Sequence, residues 1–142
     1  MKMIKSNRIY MIMVIFLFCI NCAGQKGIDP KTLSSPDEKA LYDLMVLRCR
    51  AIKDHDEKLI ASIYAMDSPE LKWIHQKGLP MWWENGVVYT IYKINKISIV
   101  GDDAAASFVL NGHNRYGYTY TRYVEVLYIK EGSEWKIESC GE

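Results

Sequence analysis

Beyond residue 20 the sequence has no apolar run long enough to cross a bilayer, and it has no glycine-rich phosphate loop or nucleophile elbow. Those absences remove the usual marks of a nucleotide-binding protein or an α/β serine hydrolase. Its histidines, His55, His75 and His113, are far apart and share no ligand spacing, and its cysteines form no paired metal motif. No metal and no cofactor is expected. An excess of one charge is missing too. Of 18 Lys and Arg, Lys2, Lys5 and Arg8 fall in an opening segment without acids, which leaves 15 basic against 17 acidic residues and a net charge of −2. A chain so balanced lacks the basic footprint that phosphate-backbone binding requires, which argues against nucleic acid as a partner.

What is present begins with a targeting pattern. A basic stretch, Met1 to Arg8, runs into an apolar stretch, Ile9 to Ile20, and stops at Asn21-Cys22. About twelve residues rise only ~18 Å as a helix, short of the roughly 30 Å hydrocarbon core, so residues 1–21 read as a signal peptide. The run Leu17-Phe18-Cys19-Ile20-Asn21-Cys22-Ala23-Gly24 resembles a bacterial lipoprotein signal, with Asn21 where Gly, Ala or Ser is commoner. That resemblance implies cleavage before Cys22, a lipid on its sulfur, and an exported protein held at the cell envelope, inner or outer membrane unspecified. Ordinary signal cleavage nearby, or an uncleaved anchor, is the alternative. Acyl chains contribute about 0.8 kcal/mol per buried methylene, enough for two or three chains to anchor the protein unaided.

With Cys19 and Cys22 in the leader, Cys49 and Cys140 remain. In an oxidising compartment they can pair, and closing a loop of about 90 residues would stabilise by roughly 4 to 5 kcal/mol. The other reading is two thiols packed as small hydrophobes. Residues 22–34 carry Gly24, Gly27, Pro30 and paired serines without periodicity, and read as a lipidated cysteine followed by a tether. Residues 35–142 then form one domain, large enough to bury about two-thirds of its unfolded surface.

The domain opens on a capping box, Ser35-Pro36-Asp37-Glu38, followed by a helix to about Lys53 whose inner face is Leu41, Leu44, Met45, Arg48, Cys49 and Ile52. Asp54-His55-Asp56-Glu57 starts a second helix with Leu59, Ile60, Ile63 and Tyr64 inward. Ser68-Pro69-Glu70 opens a third through Trp73 and Ile74, ending near Gly78. The pattern then turns to strands at Val87–Val100, Ala104–Leu110, Tyr116–Lys130 and Glu134–Cys140, separated by Gly101-Asp102-Asp103, Asn111 to Asn114, and Glu131-Gly132-Ser133. Helices first and a strand meander second predict an α+β fold, three helices packed on a curved four-stranded antiparallel sheet.

Several segments in this order resemble the nuclear-transport-factor-2-like superfamily, which includes SnoaL-like polyketide cyclases and ketosteroid isomerases. They are Ala51 to Asp56, Leu59 to Asp67, Val100 to Ala104, and Tyr128 to Ile137. The resemblance implies a cone in which a bent sheet wraps the first helix around an apolar cavity. It also implies small apolar ligands and pairing into homodimers through the outer sheet face. The isomerase branch needs a carboxylate base, a tyrosine and a protonated acid. Aligned on Asp56 and Asp67, the base position falls at Lys72 or Trp73, the tyrosine near Arg48, and the second acid at Glu125. One match in three argues against isomerase chemistry, and no catalytic residue is assigned.

The candidate pocket residues are Arg48, Trp73, Trp82, Trp83 and Glu125. Arg48 interrupts an apolar stripe, so it needs an anion there: Glu125 as a structural partner, or the carboxylate of a ligand. Trp73, Met81, Trp82 and Trp83 fall where the resemblance places the cavity mouth, either covering a ligand or plugging the cone. Tyr116, Tyr118, Tyr120 and Tyr123 form a binding stripe, a dimer face or plain sheet packing. The expectation is a membrane-tethered lipoprotein whose non-catalytic domain binds a small ligand or a partner. The alternatives are a cyclase- or isomerase-type enzyme acting on a small hydrophobic substrate, and a structural envelope protein.

Overall fold

A computed structural model describes residues 26–141. The expected signal peptide, the start of the expected tether and Cys22 lie outside the described residues. Among those described, no helix is long and apolar enough to cross a membrane.

Helix α1, Pro36–Asp54, starts as the sequence predicts: Ser35 Oγ accepts from the Glu38 amide at 3.2 Å, and Glu38 accepts from the Ser35 amide at 3.4 Å. It ends on His55, held in the left-handed region at φ 58°. The two-residue corner brings in α2, Glu57–Ile63, capped by Asp56. A third helical body follows in three consecutive pieces: α3, Pro69–Trp73, a π-helical turn, Ile74–Gly78, and α4, Leu79–Glu84. Gly78 was expected to end this body, but its φ of −65° and ψ of −57° are helical. Any Cβ there would meet the Trp73 ring, so Gly78 serves packing rather than termination.

Four strands complete the chain: β1, Val88–Val100, β2, Asp103–His113, β3, Thr119–Glu131, and β4, Glu134–Gly141. They form one antiparallel sheet in the order β1-β2-β3-β4. Register shifts at Ile91/Lys93 and Ile94/Lys96 in β1, and at Leu127/Tyr128 on β3, put extra residues into the ladder, which bends and twists strands. The hairpin between β3 and β4 turns on Gly132 at φ 63°. Strand β2 is three residues longer than its apolar run, passing through Asn111, Gly112 and His113 before the turn at Asn114. Gly112 sits inside a strand because the Tyr120 ring lies over it, where a Cβ would overlap the ring.

The α+β prediction of three helical bodies on a curved four-stranded sheet holds. Helix α1 lies against β1 and β4, burying Leu41, Met45 and Ile52 on Ile94, Phe108, Val126 and Ile137. Tyr128, fully buried, donates to the Leu41 carbonyl at 3.1 Å. At the helix start, Asp37 accepts from Trp135 Nε1 at 2.8 Å and from Lys130 Nζ at 3.3 Å; these contacts, the Trp135 bond foremost, hold its carboxyl below the ordinary range. The end of the segment expected to be a tether packs on the domain. Ile28 bridges to Ile94, Asp29 caps a 3-10 turn at Pro30–Thr32, and Leu33 is buried in the core. Two isolated apolar residues around a proline carry no periodicity, so their packing leaves no mark in the sequence.

Candidate functional site

Between the third helical body and the inner sheet face lies an open cavity of about 400 Å³. Its helical wall carries Glu70, Trp73, Met81 and Trp82; its sheet wall carries Tyr89, Leu110, Tyr120, Val124 and Cys140; Arg122, Asn85 and Asn114 are also on its lining. Arg48 enters from the middle of α1 and is only 5% exposed.

Arg48 is held by a chain of hydrogen bonds. Its Nε donates to Tyr64 Oη at 2.9 Å, and Tyr64 donates to Glu70 Oε1 at 3.1 Å. Glu70 Oε2 in turn accepts from the Cys140 amide. Tyr64 is in place because the chain leaving α2 bridges β4, with the Ala65 amide donating to the Ile137 carbonyl at 2.8 Å. Glu70 is in place because Ser68 caps α3 while donating to the Glu138 carbonyl at 2.7 Å, which ties the helix start to β4. Nε accounts for one of the five N–H groups of a guanidinium; the other four belong to its terminal nitrogens. The face of the group is covered by Trp82, whose ring centroid is 5.2 Å from Cζ.

Burial works against the Arg48 charge, yet Cys140, Tyr64 and Glu70 around it outweigh that penalty and the charged form is favoured. Glu70 goes the other way. Burial raises its pKa more than the Cys140 amide, Arg48 and Tyr64 together lower it. Burial also raises Tyr64, so the phenol stays protonated and keeps donating to Glu70.

The structure brings Arg48, Trp73 and Trp82 together on the cavity and leaves Trp83 and Glu125 off its lining. Trp83 follows Trp82 by about 100° around the helix. It stacks on His55 at 4.9 Å and donates to the Ile52 carbonyl at 3.1 Å, closing the corner between α1 and α2. Glu125 alternates with Val124 and Val126, which are buried on the inner face, so its side chain projects to the other side of the sheet. The partner role toward Arg48 expected of Glu125 falls to Tyr64, which is backed by Glu70. The alternation of β3 was already readable, and carried the signal that Glu125 faces away. Glu70 was read only as part of a helix start. Met81 and Tyr120 line the cavity, while Tyr116, Tyr118 and Tyr123 are exposed.

Cys49 and Cys140 are not joined by a disulfide in the structure, Cys49 being buried and Cys140 half-buried. Burial pushes the Cys49 thiol up to about 11, partly opposed by Arg48. Among the described residues no group of three or more His, Cys, Asp or Glu is placed to hold a metal.

A curved four-stranded antiparallel meander covered by helices defines the class: the cystatin-like, or nuclear-transport-factor-2-like, fold. No protein-family model and no curated protein matches the sequence. Solved structures do. A protein of unknown function with a cystatin-like fold from Nostoc punctiforme is 15% identical, with a TM-score of 0.64 over 76% of this chain and 90% of that one. An NTF2-like protein of unknown function from Pseudomonas putida is 18% identical, with a TM-score of 0.62 over 75% and 85%. A protein of the NTF2-like family from Streptomyces avermitilis, named as a candidate dehydratase, is 11% identical, with a TM-score of 0.59 over 73% and 93%. At these identities the likeness is one of fold.

Proposed function

We propose that the protein is a membrane-tethered binding module that takes a small amphipathic molecule into the cone cavity without transforming it. The observation that carries this reading is a roughly 400 Å³ cavity that is open and mixed in character, with aromatic and aliphatic side chains beside the polar groups of Arg48, Glu70, Asn85, Asn114 and Arg122. Small-molecule sites have that character and span roughly 300 to 1,000 Å³. A plug formed by Trp73 and Trp82 would fill that space.

The enzyme reading draws on Glu70, a cavity carboxylate with a raised pKa, and on the dehydratase naming of one fold neighbour. A general base needs a lone pair directed at the proton it takes. Both Glu70 oxygens already accept from the wall, one from Tyr64 and one from the Cys140 amide, which favours a brace over a base. The tether rests on the lipoprotein-like sequence ending at Cys22.

Two experiments test the reading. Fluorescence titration with the neutral dye N-phenylnaphthylamine gives saturable binding to the wild type, and Val124→Trp, which fills the cavity, abolishes it while the fold is retained by circular dichroism. Binding that survives the filled cavity contradicts the assignment. Mass spectrometry of the membrane fraction shows a mature N-terminus at a diacylated Cys22; an unmodified terminus elsewhere removes the lipid tether.

A further inference from the structure

We infer that the ligand is a flat aromatic carboxylate, its ring held between two aromatic pairs and its carboxylate bound by the terminal nitrogens of Arg48. This rests on the cavity being a binding site, as proposed above. It deepens that reading by naming the chemical class.

The charge argument starts from Arg48, a guanidinium buried on the cavity lining. Among the described residues its one hydrogen bond is the Nε donation to Tyr64, sideways into the wall. The four remaining N–H groups form the fork that matches a planar carboxylate with two parallel bonds. The Glu70 carboxyl does not occupy that fork, because it reaches Arg48 only through Tyr64 and spends its other oxygen on the Cys140 amide. Among the described residues Glu70 is also the only acid on the lining, against two arginines, Arg48 and Arg122. Its raised pKa lowers the negative charge it presents.

The shape argument comes from the walls. Trp73 and Trp82 meet edge to face, with centroids 6.1 Å apart at 71°, on the helical side. Tyr89 and Tyr120 meet in the same way, 5.9 Å apart at 74°, on the sheet side. Each pair carries an arginine on one ring, Arg48 over Trp82 and Arg122 over Tyr120. Rigid rings on opposite walls present faces and edges to a flat guest, and aromatic contacts of this kind add to plain area burial. A flexible alkyl chain would lose rotamer freedom between such walls without the added ring–ring interaction in return.

Isothermal titration of the full chain with naphthalene carboxylate, its neutral carboxamide and decanoate separates the parts of this proposal. The carboxylate is expected to bind the wild type about 10- to 100-fold more tightly than the carboxamide, the worth of a charge-assisted pair, and more tightly than decanoate. In Arg48→Gln the preference for carboxylate over carboxamide disappears while carboxamide binding persists. Arg48→Lys, which keeps the charge without the fork, retains an intermediate preference. Equal binding of carboxylate and carboxamide to the wild type overturns the anion assignment and leaves the cavity reading standing. Tighter binding of decanoate overturns the flat-ring assignment. No binding of any of the three, with no response to the neutral dye, overturns the cavity reading together with this one. Because the wild-type comparison decides alone, failure of an Arg48 variant to fold does not shelter the proposal.

Discussion

Arg48 stays charged in a place where charge is costly, and the reason is a chain of side chains that each do one job. Tyr64 accepts from the guanidinium and donates to Glu70, so removing its hydroxyl leaves a buried donor and a buried acceptor facing each other's absence. Tyr64→Phe should therefore cost about 1 to 3 kcal/mol of stability in urea denaturation; a loss under about 0.5 kcal/mol would contradict the chain's role. Glu70 gives a pH signature. Its proton is bound more tightly in the folded state than at the ordinary value of 4.5, burial being the main cause. Such a group adds stability below 4.5, and that contribution fades as the pH rises through the raised folded value. The stability of wild type minus that of Glu70→Gln, measured from about pH 4 to about pH 8, should thus move against the wild type with rising pH. A flat difference, or one moving the other way, would mean that Glu70 is not desolvated by the wall.

At the scale of elements, Gly112 joins sheet to site. Its missing side chain lets the Tyr120 ring lie on β2, and that ring is half of the Tyr89–Tyr120 pair on the sheet wall. Gly112→Ala should displace Tyr120, cost about 1 to 3 kcal/mol, and weaken binding of the neutral dye. Unchanged stability and dye affinity would show that the ring does not shape the wall. Gly112 also marks where sequence legibility ends. Asn-Gly flanked by strands is a strong turn signal, yet here the close approach of a ring from the next strand decides, and that contact is invisible in a linear pattern. Signals local to one element were readable: the Ser35–Glu38 box, the Ser68 cap and the inward stripe of α1 all stand where the spacing puts them. Within the site, Arg48 stood out because one charge on an apolar stripe is locally anomalous. Glu70 did not, because an acid in a first helical turn is ordinary. Only the return of β4, which brings the Cys140 amide to it, makes Glu70 part of the cavity.

For the molecule as a whole, the two ends of the chain's logic meet in the cavity. Helix α1 supplies the charge, the sheet supplies one wall, and the segment from Pro69 to Glu84 supplies the other, so no single element holds the site without the rest. Fold neighbours of 11 to 18% identity share the fold, and this chain's Arg48, Tyr64 and Glu70 arrangement is where its specificity is proposed to lie. Cavity binding is tested most directly by backbone amide NMR during titration with naphthalene carboxamide, the neutral compound, which probes the cavity independently of charge. The account predicts saturable shifts confined to cavity residues such as Arg48, Trp82, Leu110, Tyr120 and Val124, with the outer-face residues Tyr92, Tyr123 and Glu125 unmoved. Shifts centred on the outer face, or none at all, would contradict it.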